Sequence, residues 1–138
     1  MLRLIIPILC RSGAIEAARH AAFLCAEKCV SHIELVEMLE ETAGGRTAAF
    51  RSPSVLRRRE KASMRDALMD TRAILDDAGV SYTWKRVFGQ SAKSIADCAA
   101  SCDSDVIVLD ASSMGFYRRW RVMTGLSRLS QIPVTIVH

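Results

Sequence analysis

Residues 4–9, Leu4-Ile5-Ile6-Pro7-Ile8-Leu9, form an uninterrupted apolar run of strand length. Alternation would mark a strand with one wet face. A continuous run instead marks a strand covered on both faces, as in the middle of a parallel sheet between two layers of helices. The run is short for a secretory leader, contains a proline and lacks a small-residue cleavage site, so it is read as a central first strand. No later stretch approaches the ~18 apolar residues of a membrane span, and no membrane association is expected.

The rest of the chain alternates helical and strand patterns. Ser12 stands where an N-cap would, ahead of Ala14, Ala18, Ala21, Cys25 and Cys29 at helical spacing, which predicts a first helix over 13–30. A second strand covers 33–39, and the polar Thr42-Ala43-Gly44-Gly45 stretch opens a loop to about Arg51. Ser52-Pro53 reads as a cap and first turn. Met64, Leu68, Thr71, Leu75 and Ala78 then mark one face of a long second helix ending at Gly79. Residues 80–87 alternate, with Val80, Tyr82 and Trp84 opposite Ser81, Thr83 and Lys85, the pattern of an edge strand. A third helix carries Ile95, Cys98, Ala99 and Cys102, and the strand Val106-Ile107-Val108-Leu109 follows Asp105. After it come a basic fourth helix and a last strand at 134–137. The order β-α-β-α-β-α-β-α-β, with right-handed crossovers, gives an α/β fold on a doubly wound, open parallel sheet of five strands.

At 138 residues, half of them hydrophobic and a quarter charged, the chain is expected to be one globular domain spanning 1–138. Five cysteines in no secreted framework suit a reducing cytoplasm. The charge is uneven. Residues 46–65 hold Arg46, Arg51, Arg57, Arg58, Arg59, Lys61 and Arg65 against Glu60 alone, and Arg118, Arg119, Arg121 and Arg128 follow without an acid among 114–128.

Four segments together are similar to the universal stress protein family: the residue 4–9 strand before a Ser-Gly-led helix, Gly89-Gln90-Ser91-Ala92-Lys93-Ser94-Ile95-Ala96, Asp105-Val106-Ile107-Val108-Leu109, and Pro133-Val134-Thr135-Ile136-Val137. Each is short, but their order and spacing cover nearly the whole chain. The resemblance implies a Rossmann-like adenine-nucleotide-binding fold of strand order 3-2-1-4-5, with the ligand, ATP or AMP, above the carboxyl ends of strands one and four, at the topological switch point. It also implies a homodimer through the last strand and a regulatory or binding role in stress response, with a protein partner the sequence does not name.

In nucleotide-binding members of that family an aspartate ends strand one, and a Gly-x2-Gly-x9-Gly-Ser/Thr loop after strand four holds the phosphates. Glycines let the backbone approach the anion, and a helix N-terminus supplies free N–H groups. Here Leu9 takes the aspartate position. Direct alignment puts Asp110 and Ser113 at the first two glycines, with the Asp110 carboxylate beside the expected phosphates. A shifted alignment matches Ser112, Gly115 and Gly125 to the three glycines and leaves Leu126 for the hydroxyl. The nucleotide site is therefore expected to be degenerate and weak, the alternative being a retained ATP or AMP site on a divergent loop. Arg118, Arg119 and Arg121 could replace lost phosphate contacts, although the solvated face of a helix is the favoured reading.

The remaining constellations carry less. Cys25/Cys29 and Cys98/Cys102 are spaced as half sites, but the expected topology places the sheet between them, and buried small hydrophobes fit better than zinc. His20, His32 and His138 are scattered and accompany no nucleophile motif, so no catalytic group is assigned. The aromatic-basic stretch 116–121 has the composition of a nucleobase-stacking surface, yet Phe116 and Trp120 packed at i, i+4 explain it equally well. For Arg57-Arg58-Arg59 a solvated helix face is preferred to a nucleic-acid site.

Overall fold

The structure, a computed structural model, describes residues 1–10, 12–39 and 53–138. Its elements are β1 (Leu2–Ile8), α1 (Ile15–Ala26), β2 (Val30–Leu39), α2 (Pro53–Asp77), β3 (Tyr82–Phe88), α3 (Ser91–Ser101), β4 (Val106–Asp110), α4 (Phe116–Leu129) and β5 (Val134–Val137). The five strands are all parallel, in the order β3-β2-β1-β4-β5. This is the expected doubly wound sheet. The loop expected over 42–51, the Ser52 cap and the side chains of Arg57, Arg58, Arg59 and Lys61 lie outside the described residues. Among the described residues no helix is long and apolar enough to cross a membrane.

Continuous hydrophobicity in β1 has the anticipated cause. Leu4, Ile6 and Ile8 pack with Ala14, Ala17, Ala18, Ala21 of α1 and its approach, and with Ala67, Leu68 and Leu75 of α2. Ile5 and Leu9 point the other way, among Ile95 and Ala99 of α3 and Val122 and Leu126 of α4. Period-two alternation thus feeds two separate cores from one strand. Pro7 sits within this buried strand and cannot donate to a ladder. Pairing of β1 with β2 runs from Leu2 to Ile8, whereas pairing with β4 covers only Leu4↔Val106 and Ile5↔Ile107. The β1–β4 ladder ends before the proline, and there the two strands part.

Three helices end in the same way. After α1, Lys28 adopts φ 60°, and the Cys29 N–H donates to the Leu24 carbonyl at 2.9 Å. Gly79 does this after α2 (φ 68°, Val80 N–H to Leu75 carbonyl at 3.0 Å), and Asp103 after α3 (φ 50°, Ser104 N–H to Ala99 carbonyl at 3.0 Å). This left-handed turn closes the orphan carbonyls of each helix and redirects the chain into the next strand. It also explains why the first helix stops at Ala26, short of the expected residue 30.

The β3 edge is wetter than its neighbours, as its alternation predicts. Trp84 remains partly exposed, with the Arg72 guanidinium 5.6 Å from its ring and 5.9 Å from that of Tyr82. Arg72 Nε donates to the Tyr82 hydroxyl at 3.1 Å, which donates to Asp76 Oδ1 at 2.7 Å. A side chain of α2 therefore folds over part of an otherwise open margin.

Candidate functional site

The parting of β1 and β4 creates the crevice in which open α/β sheets hold ligands. In this chain its own side chains occupy that place. Leu9 follows β1 and is buried at 6% exposure in the α3/α4 core. Its carbonyl accepts from Arg118 Nη2 at 2.7 Å, and Arg118 Nη1 lies 3.9 Å from Cys10 Sγ. The chain then turns, with the Gly13 N–H donating to the Cys10 carbonyl at 3.0 Å. Ser12, expected as the cap of helix one, instead donates its hydroxyl to Ser113 Oγ at 2.6 Å, bridging the two sides of the crevice.

The cap of α1 comes from elsewhere. Ala14 is the residue at the cap position, and no side chain of the local sequence caps the helix. The Glu16 and Ala17 amides donate to Asp110 Oδ2 at 2.9 and 3.1 Å. Asp110 Oδ1 accepts from the Ser112 N–H at 3.0 Å and from the Ser112 hydroxyl. The carboxylate, 7% exposed at the end of β4, thus takes four donors and faces the positive end of the α1 dipole. A helix N-terminus beside a strand end is a natural anion site. Here the anion is part of the protein.

Leu9, Asp110, Ser112 and Ser113 accordingly come together at the crevice, joined by Ser12 and Arg118. Gly115 is the N-cap residue of α4 with φ −63° and ψ 155°, and a Cβ there would meet nothing within 4 Å. Neither conformation nor space demands glycine at that position. Gly125 lies inside α4, where a Cβ would fall 2.5 Å from the Ala92 Cβ of α3. Its glycine allows two helices to approach. The nine residues between Gly115 and Gly125, a loop in the shifted alignment, form continuous helix.

The arginines of α4 divide. Arg118 turns inward to the β1 end, contrary to a fully solvated face, whereas Arg121 is exposed with its guanidinium 5.9 Å from the Tyr117 ring. Phe116 (83% exposed) and Trp120 (57%) stand on the solvent side of α4, opposite buried Val122 and Leu126.

One buried charge escaped the sequence reading. Glu37, within the expected second strand, is fully buried on β2 in register with Ile8, and Arg86 Nε of β3 lies 3.2 Å from its Oε2. Its Oε1 has no hydrogen-bond partner among the described residues. Glu37 is one of two glutamates in that strand, its spacing does not mark it as buried, and its Arg86 partner lies 49 residues on. At the opposite end of the sheet a cavity of about 290 Å³ lies among Ala22, Cys25, Val30, Ser31, Val80 and Ser81, with no charged side chain in its wall. Among the described residues no three His, Cys, Asp or Glu side chains converge as metal ligands.

No family model and no curated protein sequence matches the chain. Solved structures do. A universal stress protein family member from Burkholderia pseudomallei is 20% identical, with a TM-score of 0.71 over 96% of this chain and 94% of that one. The universal stress protein from Archaeoglobus fulgidus in complex with dAMP is 18% identical, with a TM-score of 0.68 over 100% and 98% of the two chains. A family protein from Arabidopsis thaliana with AMP bound is 13% identical, with a TM-score of 0.64 over 99% and 91%. Strand order, helix placement and near-complete coverage agree, and this chain has the fold of the universal stress proteins.

Proposed function

We propose that the chain is a universal-stress-protein-like regulatory or binding domain of the stress response, cytoplasmic and homodimeric, whose adenine-nucleotide site is degenerate. The observation that carries the degenerate site is Asp110. Its carboxylate already accepts the α1 amides and Ser112, so a phosphate at the crevice would meet a fixed negative charge. Leu9 offers no carboxylate to a ribose or a metal, and α4 replaces the glycine-bounded loop. The dAMP and AMP complexes of the Archaeoglobus and Arabidopsis proteins make adenine nucleotide the ligand to test. Equilibrium binding to nucleotide-stripped protein is expected to give a Kd on the order of 1 mM for ATP and AMP, about −4 kcal/mol. Micromolar affinity, or stoichiometric nucleotide carried through purification, would establish the alternative, a retained ATP or AMP site on a divergent loop.

The homodimer rests on β5. The Pro133 and Val137 carbonyls accept from the Ile107 and Ala111 amides of β4 at 2.9 and 2.8 Å. Alternate residues of a strand face opposite neighbours, so Val134 and Ile136 direct their backbone N–H and C=O to the open edge. No charged residue interrupts 132–137, and such an edge is a liability unless paired or covered. A two-fold axis would pair it with the same strand of a second copy. Ile136→Pro removes an outward N–H without breaking the β4 ladder, and light scattering is expected to find it folded and monomeric. A folded variant that stays fully dimeric would place the interface elsewhere.

A further inference from the structure

The face of the sheet under α3 holds a second polar cluster, remote from the β1–β4 crevice. Lys85 of β3 places its Nζ 3.1 Å from Cys102 Sγ, just past the end of α3, and 3.2 Å from Glu34 Oε1 of β2. Ser101 Oγ lies 3.8 Å from the same sulfur. Glu34 fixes the ammonium from one side, so that its remaining donors address the thiol. Nucleophile, cation and orienting carboxylate thus meet in one cluster, and a cation beside a cysteine favours the thiolate, its reactive form. Cys102 and Lys85 are both partly exposed, so a small reagent can reach them.

The other cysteines lack this setting. Burial pushes the Cys25 and Cys98 thiols up from their ordinary value. Cys29 is exposed, and its sulfur contacts the Glu27 carbonyl at 3.6 Å. Cys10 lies 3.9 Å from an Arg118 guanidinium already bonded to the Leu9 carbonyl. The hydrogen bond to Cys102 is also the largest influence holding the Lys85 ammonium above its ordinary range, against the opposing effect of burial.

We propose that Cys102 is a redox-modification site, oxidised to a sulfenic acid by hydroperoxides, with Lys85 as the cation that faces its thiolate and the acid that protonates the leaving oxygen. The thiol first gives its proton to solvent, and the thiolate faces the Lys85 ammonium. Sulfur then attacks one oxygen of hydrogen peroxide. An S–O bond forms and the O–O bond breaks as sulfur gives up two electrons. The departing hydroxide takes a proton from Lys85 and leaves as water, and Lys85 recovers a proton from solvent. The net change is thiol plus peroxide to sulfenic acid plus water, the first step of the cysteine oxidation ladder.

The test is site-resolved trapping with dimedone on the reduced full chain under limiting hydrogen peroxide, read by peptide mass spectrometry. Cys102 is expected to be trapped roughly tenfold faster than exposed Cys29, a ranking that needs no variant. Lys85→Met should bring the Cys102 rate down to that of Cys29 while the Cys29 rate stays constant, and Lys85→Arg should restore part of it. Equal trapping at Cys29 and Cys102 in the wild-type protein, or an unchanged Cys102 rate in folded Lys85→Met, would overturn the assignment.

Discussion

Asp110→Ala is expected to lower the free energy of unfolding by about 3 kcal/mol and the melting temperature by roughly 10 °C. The carboxylate takes four hydrogen bonds, two of them from the first-turn amides of α1, and the Ala17 amide is buried. Removing the side chain leaves those donors without their acceptor, and for the buried Ala17 amide no water replaces it, which costs more than the bond itself contributes. It also removes a negative charge from the helix N-terminus, worth about 0.3–1 kcal/mol. Asp110→Asn keeps one acceptor oxygen and should lose about half as much. Urea unfolding with an unchanged slope would read this directly. A loss below about 1 kcal/mol for the alanine variant, the ordinary effect of a cap, would show that the four bonds do not act together.

On the same α1/α2 side of the sheet, Gly13→Ala should cost about 3 kcal/mol as well, by a steric route. Gly13 adopts φ 78°, where a side chain is strained, and a Cβ there would lie 2.9 Å from both the Ala67 carbonyl oxygen and Thr71 Oγ1. Neither neighbour can yield easily. Thr71 donates to the Ala67 carbonyl at 2.8 Å and accepts from the Ala14 amide at 3.1 Å, so moving it breaks the tie between α1 and α2. Gly115→Ala is the matched control, because its φ is ordinary and its surroundings are open, and its effect should be near zero. Equal stability of the two variants would refute the steric account.

These two positions mark the boundary of what local sequence rules can see. The strand at residues 4–9, the long helix ending at Gly79 and the wet edge at Trp84 follow from periodicity, which depends only on neighbours along the chain. Ser12 satisfies every local rule for a cap, yet the cap is Asp110, 94 residues beyond the Glu16 amide that donates to it. A spacing of that length has no sequence signature. Asp110 drew attention only because a glycine was expected there, and the sequence could not say that its charge would be spent on a helix. Gly125 misled for the opposite reason: its spacing from Gly115 suited a phosphate loop, but its lack of a Cβ serves the contact with Ala92. Arg118 looked like a surface residue because half its helix is exposed, and only the three-dimensional placement of the β1 end turns it inward. Lys85 and Cys102 were each visible in the sequence, but as members of separate patterns, an alternating strand and a cysteine pair.

The way α1 begins has a consequence for the order in which the chain acquires structure. Its first amides are closed by Thr71 and Asp110, contacts that span 57, 94 and 93 residues. At a synthesis rate of about 5–20 residues per second, Asp110 follows the start of the helix by roughly 5–20 s. A helix of 12 residues is marginal alone in water, and this one has no cap of its own in the meantime. The start of α1 is therefore completed in two stages, Thr71 closing the Ala14 amide once α2 is made and Asp110 closing the Glu16 and Ala17 amides only after the fourth strand.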